Sequence, residues 1–185
     1  VAISYSGEQA MELHAPNEQL LAVYQTLVQA GQEFSLIHFG MSAIDSMRLE
    51  KGYGHWKADF INEFNPIEAG LQRFIDMESN FPGKSGLEQS IKTGNRKQRV
   101  LLELDCEDAP AQPGEGVFFN TRPVGSITTA AWGYRVRKNL AMAYVDPGYA
   151  SKGTCLEVFL LGSPVKATVI DSCPYDPSNR IPRTG

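Results

Sequence analysis

The chain has 185 residues, of which 42% are hydrophobic and 21% are charged, and its formal net charge at pH 7 is −4. This is the composition of a globular protein long enough to bury a core without disulfide or metal staples. A mildly acidic chain lacks the charge expected for nucleic acid or an anionic membrane surface. We therefore expect neither among its partners, and no apolar run approaches the roughly 20 residues of a membrane-spanning helix.

Cysteine and basic residues point to no metal or phosphate site. Cys106, Cys155 and Cys173 form no CxxC pair, so we predict reduced thiols rather than a zinc site or a disulfide framework. The basic residues form two groups, Lys92, Arg96, Lys97 and Arg99, and then Arg135, Arg137 and Lys138. We interpret both groups as solvated faces rather than as a track for phosphates.

The first fifty residues are predicted to alternate strands and helices. The expected elements are strands at 1–6 and 10–15, a helix at 17–31, a strand at 34–39 and a helix at 42–50. Apolar residues at three- and four-residue spacing identify the first helix as amphipathic. Asn17 and Ser42 are the candidate N-caps of the two helices.

Residues 51–66 have no clear periodicity and are rich in glycine, aromatic and polar residues, so we predict an ordered functional loop. A helical turn at 66–71 and a short strand at 74–76 are expected next. Ser85, followed by Glu88 in a capping-box position, predicts a helix that ends before Gly94.

From about residue 98 the pattern becomes one of short strands separated by proline and glycine turns, which are expected at Pro113-Gly114, Arg122-Pro123, Pro147-Gly148 and Ser163-Pro164. The predicted strands are 99–105, 116–119, 125–131, 140–145, 156–161 and 165–170. This spacing is typical of a β-barrel or β-sandwich. We predict an α+β fold with a boundary near residue 95, which divides the chain into domains 1–95 and 96–185.

Few residues indicate a catalytic or ligand-binding role by themselves. No nucleotide-binding glycine motif and no nucleophile elbow is present. Glu12 either points to solvent or accepts two parallel hydrogen bonds from a flat ligand edge, as a carboxylate does from a guanidinium. Tyr5 and Trp56 are either aromatic walls for a planar ring or core residues. Arg48 and Glu50 are expected to lock their helix to neighbouring backbone rather than to touch a ligand.

Several linked segments resemble the folate-binding aminomethyltransferase superfamily of the glycine cleavage T-protein. Ser4–Leu13 is similar to its Gly-Tyr-Thr-Gly-Glu-x-Gly-Tyr-Glu-Ile segment, and Asp45–Glu50 to Asp-Ser-Leu-Arg-Leu-Glu. Asn65–Leu71 resembles Thr-Pro-x-Glu-Ala-Gly-Leu. Gly125–Thr128 and Lys138–Val145 resemble parts of the family's barrel. The segments occur in the family's order.

Within the superfamily the chain most resembles the C-terminal region of dimethylglycine and sarcosine dehydrogenases. The residues that carry this likeness are Lys51–Tyr53, Trp132–Val136 and Cys173–Pro177. The implied fold is the α/β tail of the folate-binding core followed by an antiparallel jelly-roll-like β-barrel.

The resemblance also implies a tetrahydrofolate site. Glu12 matches the family carboxylate that grips the pterin, Tyr5 and Trp56 match positions beside the folate, and Arg180 falls near a C-terminal ligand-binding position. Ile44 stands where T-proteins carry a folate-contacting arginine, which departs from that branch. No metal ligand is implied.

The resemblance places the catalytic aspartate and an FAD domain upstream of Val1, so no catalytic residue is expected here. The implied parent demethylates an N-methyl amine and passes the one-carbon unit to tetrahydrofolate, in bacterial cytoplasm or the mitochondrial matrix. The absence of an initial methionine agrees with a C-terminal piece of a longer polypeptide, although a processed terminus has the same appearance. A T-protein-like fragment, a non-catalytic folate-like binding module and a structural barrel remain alternatives.

Overall fold

Three helices precede a closed antiparallel barrel in a computed structural model of the chain, which describes residues 4–183. The helices are α1 (Asn17–Gly31), α2 (Met41–Glu50) and α3 (Lys84–Thr93). The strands are β1 (Gln98–Leu104), β2 (Gly116–Phe119), β3 (Arg122–Gly133), β4 (Lys138–Val145), β5 (Cys155–Leu160) and β6 (Ser163–Ile170). None of the helices within the described part is long and apolar enough to cross a membrane.

The barrel closes in the order β1-β4-β3-β2-β5-β6. Strands β2, β3 and β4 follow one another as hairpins, and β5 returns to pair with β2, which is a Greek-key arrangement. Closure removes the exposed strand edges that an open sheet would leave for aggregation. The predicted α+β class and its antiparallel barrel are therefore confirmed.

Alternation along the strands fills the barrel. In β5 every second residue is buried, and the interior cluster combines Leu102 of β1, Val117 of β2, Ile127 of β3 and Leu156 of β5. Two-residue periodicity of this kind is what a sheet with one face turned to a core requires. All six barrel strands predicted from the sequence are found within a few residues of their expected bounds.

The outer face of β4 is buried as well, because the helical part of the chain covers it. Leu49 of α2 packs against Leu140 and Met142, while the ring of Phe64 stacks on Tyr144 with centroids 3.6 Å apart. A strand covered on both faces reads as a continuous apolar run, as β4 does. The helical part is thus held to the barrel by a second apolar contact layer.

The strands predicted before residue 96 are wrong. No strand forms at residues 4–6, 10–15, 34–39 or 74–76, while residues 1–3 lie outside the described range. Local bonds compete with extension in the first segment, since the Gly7 N–H donates to Ser4 Oγ at 3.0 Å. Near residue 35 a short 3-10 helix and a positive φ at Ser35 turn the chain instead.

Helix starts and two turns also differ from expectation. Pro16, Gly40 and Gly83 precede the three helices, and none makes a side-chain capping bond, so the predicted caps at Asn17, Ser42 and Ser85 are wrong. The turns expected at Arg122-Pro123 and Ser163-Pro164 lie inside β3 and β6. Positive-φ residues immediately before these strands make the reversals, at Asn120 and at Leu161 with Gly162.

Glu68 fastens the segment before α3 to the start of the barrel. Its side chain is buried and accepts backbone N–H bonds from Asn65 at 3.0 Å and from Arg96 at 2.8 Å. Burial by itself would raise the pKa of Glu68. These backbone bonds, one from Lys97 and the charge of Arg96 outweigh burial and lower that pKa below its ordinary value.

We expect Glu68→Gln to show the pH signature of this carboxylate. A folded-state pKa below the unfolded one gives stability that is present above the unfolded pKa, near 4.3, and is lost as pH falls through the folded value. The difference in unfolding free energy between wild type and Glu68→Gln should therefore shrink between pH 6 and pH 3. Urea unfolding at several pH values measures it. A constant difference would contradict the assignment.

Candidate functional site

A buried carboxylate fixes the loop that follows α2. Asp59 is fully buried, and its Oδ1 accepts hydrogen bonds from the hydroxyls of Thr128 and, at 2.9 Å, Thr129. Its Oδ2 accepts the backbone N–H of His55 at 2.6 Å and Arg48 Nη1 at 3.2 Å. With donors on both oxygens, the loop is fastened to β3 and to α2 at a single point.

Arg48 and Tyr144 complete this attachment. Arg48 Nε donates to Asp45 Oδ1 at 2.8 Å, which is the i, i+3 pair expected within the helix, and Nη1 donates to the carbonyl of Tyr53 at 3.1 Å. The Tyr144 hydroxyl donates to the Asp59 carbonyl at 2.7 Å, and burial raises the pKa of Tyr144 to about 12. The expectation that Arg48 locks its helix to backbone is confirmed.

A second cluster joins α2 to the first turn of the chain and to the C-terminal segment, residues 171–183 after β6. The Arg135 guanidinium donates to Glu50 and, at 2.5 Å, to Glu8 Oε1. It also stacks on the ring of Tyr175, 3.8 Å from the centroid, and the Tyr175 hydroxyl donates to Glu8 Oε1 at 2.9 Å. Four segments far apart in sequence therefore meet around one guanidinium.

Arg135 is not the solvated residue that the sequence predicts. Burial alone would lower its pKa, but the hydrogen bonds and charges of Glu50 and Glu8 outweigh that effect and raise the pKa above its ordinary value. Glu50 also accepts the backbone N–H groups of Arg135 at 2.6 Å and Val136 at 3.2 Å. The expected backbone-locking role of Glu50 is thus confirmed.

Tyr5, one of the sequence-predicted ligand residues, contacts the loop that carries another, Trp56. The hydroxyl of Tyr5 donates to the carbonyl of Gly54 at 3.2 Å, which places its ring against the loop that carries Trp56. Tyr5 is 37% exposed and Trp56 is 77% exposed. Burial raises the pKa of Tyr5, and the positive charge of Arg48 opposes that rise. Neither aromatic ring belongs to the core.

The other two predicted residues are exposed at other points of the surface. Glu12 is not in a strand, and its carboxylate Oε2 lies 3.2 Å from His14 Nε2, with about half of its side chain exposed. Arg180 lies in the C-terminal segment, where its backbone N–H donates to Asp176 Oδ1 at 3.0 Å. The aromatic pair and these charged groups are available to a ligand at the surface.

Sequence reasoning missed the residues that hold the site. Asp59 stands between Ala58 and Phe60 in an irregular loop, and its apolar neighbours are the only local hint of burial. Thr128 and Thr129 are ordinary strand residues, and a register shift between Ile127 and Thr129 is what lets both hydroxyls reach Asp59. Partners about seventy residues apart leave no pattern in a single sequence.

Exposed aromatic rings such as those of Tyr5 and Trp56 can flank a planar ring system, and an exposed carboxylate such as Glu12 can accept paired N–H donors from the edge of a flat ligand. The buried carboxylates Asp59, Glu50 and Glu68 are already engaged by protein donors. These hydrogen bonds fasten the helical part of the chain to the barrel strands and to the segments next to them.

Two family models match the chain in sequence order. The GCVT N-terminal domain matches residues 1–79, and the glycine cleavage T-protein C-terminal barrel domain matches residues 97–176. The glycine cleavage system aminomethyltransferase T from Bartonella henselae shares the fold, with a TM-score of 0.85 at 24% identity, over 94% of this chain and 48% of that one.

Curated relatives point the same way. Dimethylglycine dehydrogenase of Rattus norvegicus is 35% identical over 92% of this chain, and sarcosine dehydrogenase of Mus musculus is 33% identical over 97%. The chain spans 20% of each dehydrogenase. An aminomethyltransferase of Caldanaerobacter subterraneus is 29% identical over 90% of this chain, which spans 45% of it. The chain therefore belongs to the aminomethyltransferase superfamily of the glycine cleavage T-protein, and it is homologous to dimethylglycine and sarcosine dehydrogenases.

Proposed function

We propose that this chain is the folate-binding part of an enzyme that transfers a one-carbon unit from an N-methyl amine, of the dimethylglycine or sarcosine type, to tetrahydrofolate. The observation that carries the proposal is the similarity to dimethylglycine and sarcosine dehydrogenases over more than nine-tenths of the chain. The framework around Asp59, which holds an exposed Tyr5 against the Trp56 loop, supports it.

In this proposal each predicted residue has a distinct role. Glu12 accepts the paired N–H groups of the pterin, Tyr5 and Trp56 flank its ring, and Arg180 contacts the anionic end of the folate. Tetrahydrofolate supplies the nitrogen that takes up the one-carbon unit. The residues of this chain bind and orient it, which raises the effective concentration of the acceptor near the reacting carbon.

The proton-transferring aspartate and the FAD of the proposed enzyme belong to other parts of the protein. The relatives are about five times as long as the matched region, which leaves room for both. Exposed apolar side chains on α1 and on the segment that follows it offer those parts places to dock. They are Leu20, Leu21, Tyr24, Leu27, Phe34, Ile37, Phe39 and Met41. A surface of this kind marks an interface with another protein segment.

The direct test supplies the full-length protein with dimethylglycine and tetrahydrofolate and follows the fate of the methyl carbon. We expect 5,10-methylenetetrahydrofolate at the expense of free formaldehyde. Formaldehyde released in equal amount with and without tetrahydrofolate would contradict the transfer. A protein that leaves dimethylglycine, and sarcosine supplied in its place, untouched but binds tetrahydrofolate would support the alternatives, a T-protein-like aminomethyltransferase or a non-catalytic binding module.

Glu12→Gln is expected to weaken tetrahydrofolate binding by about 5- to 150-fold, which corresponds to roughly 1–3 kcal/mol for a lost charge-assisted hydrogen bond. Titration calorimetry with the full-length protein measures the change. Glu18→Gln is the matched control, because Glu18 is an exposed glutamate in the first turn of α1 and should leave the affinity unchanged. Equal affinities for wild type and Glu12→Gln would remove Glu12 from the site.

A further inference from the structure

A cleft of about 790 Å³ opens between the C-terminal segment and the start of β1. Its charged lining consists of Lys51, Arg73, Arg99 and Arg183, with no aspartate or glutamate among the residues that line it. We call it the cationic cleft. Its volume is that of a site for a small organic molecule, and its surroundings are strongly polar for such a site.

Arg99 is the one partly buried arginine of the cleft, since Arg73 and Arg183 are exposed. Its Nε donates to the carbonyl of Ala69 at 2.8 Å, and its guanidinium carbon lies 5.1 Å from the ring centroid of Phe60. The Nη2 group lies beside Gly70, 3.8 Å from where a side chain would begin. Burial lowers the pKa of Arg99, while the charges of Tyr144 and Asp59 oppose that effect. The guanidinium is therefore held in place by neutral groups.

Arg99 differs from the other cations held in the interior because they have carboxylate partners and it does not. Arg48 pairs with Asp59, Lys51 pairs with Asp176 at 3.4 Å, and Arg135 pairs with Glu50 and Glu8. Across residues 4–183, Arg99 has no carboxylate within 4.0 Å, and neither Arg73 nor Arg183 forms an ion pair. A partly buried charge without an adjacent counter-ion gains from a ligand that supplies one.

We propose that the cationic cleft binds a small organic anion with two or more carboxylates, anchored by Arg99, with Arg73 and Arg183 at the rim. A guanidinium presents two parallel N–H groups that match a carboxylate. Three separate arginines around so large a volume suit separated carboxylates better than one compact phosphate. The inference does not depend on the proposed folate chemistry, because Glu12, Tyr5 and Trp56 are not among the residues that line the cleft.

Citrate is the probe, titrated into the full-length protein by calorimetry at low ionic strength. We expect one saturable site. Arg73→Gln should weaken citrate about tenfold, and Arg99→Gln should abolish binding. Arg122→Gln is the control, since Arg122 is an exposed arginine on the barrel outside the cleft and its loss should change nothing. Because Arg99 also has packing contacts, the exposed Arg73 keeps the test valid if Arg99→Gln fails to fold.

Three outcomes would overturn the proposal. If Arg73→Gln and Arg122→Gln weakened citrate binding equally, citrate would be attracted non-specifically by the net charge of the protein. Tighter binding of inorganic phosphate than of citrate would contradict the carboxylate assignment. Loss of citrate binding under saturating tetrahydrofolate would make the cleft part of the folate site. Unchanged citrate affinity in Glu12→Gln, together with weakened folate binding, would establish two independent sites.

Discussion

Asp59→Asn is expected to lower the free energy of unfolding by about 3–5 kcal/mol, the usual cost of removing one partner of a buried ion pair. The asparagine keeps the shape of the side chain, but it removes the negative charge that faces Arg48 Nη1 at 3.2 Å. Its amide N–H₂ also meets a donor on either side, since both carboxylate oxygens of Asp59 accept hydrogen bonds. Urea unfolding of the variant and wild-type proteins measures the loss.

Asp45→Asn provides the matched control for Asp59→Asn. Asp45 accepts a hydrogen bond from the same arginine at 2.8 Å, but 40% of its side chain is exposed to solvent. Exposed ion pairs contribute about 1 kcal/mol or less, so we expect a small change. If both variants lost the same stability, burial would not be what makes Asp59 important.

Gly52→Ala is the second substitution with a large expected effect. Gly52 lies two residues after the end of α2 with φ +67°, and a Cβ there would lie 1.6 Å from the carbonyl oxygen of Ser172. The positive φ and the displacement of backbone together should cost roughly 2–5 kcal/mol. The C-terminal segment should also separate from α2, which hydrogen exchange at residues 172–176 would detect.

Gly83→Ala separates the two causes of that loss. Gly83 has φ +89° before α3, and no atom lies within 4 Å of a side chain added there. Only the backbone conformation is strained, so we expect about 1–2 kcal/mol. Equal destabilisation by Gly52→Ala and Gly83→Ala would show that the contact with Ser172 does not matter.

The barrel could be predicted because its strands carry their own signal. Alternating burial in β5 and the apolar run of β4 both follow from local sequence. The order in which the strands close, by contrast, depends on contacts such as that between Leu102 and Val169, whose residues lie far apart in the chain. Local periodicity predicts a strand but does not select its neighbours.

The strand predicted just before α2 was wrong because it rested on apolar composition alone. Residues 34–39 are rich enough in apolar side chains to read as a strand, yet Phe34, Ile37 and Phe39 are exposed and no strand pairs with them within residues 4–183. A strand requires a hydrogen-bonded neighbour, which composition does not supply. The expected domain boundary near residue 95 remains a prediction.

The sequence singles out candidate ligand residues only where one residue type carries the chemistry, and their role in binding remains a prediction. Tyr5 and Trp56 were singled out as aromatic groups, and the structure places the ring of Tyr5 against the loop of Trp56. Asp59 and Arg135 owe their importance to partners that folding brings together. A charged residue looks the same in sequence whether it faces water or a buried counter-ion.

Titration of tetrahydrofolate into the full-length protein tests the central claim most directly. We expect saturable binding at one site, with the fluorescence of the exposed Trp56 changing as the ligand binds and that change absent in Trp56→Phe. No binding at millimolar tetrahydrofolate, or binding with affinity unaltered by replacement of Trp56, Tyr5 and Glu12 together, would contradict the assignment of this surface as the folate site.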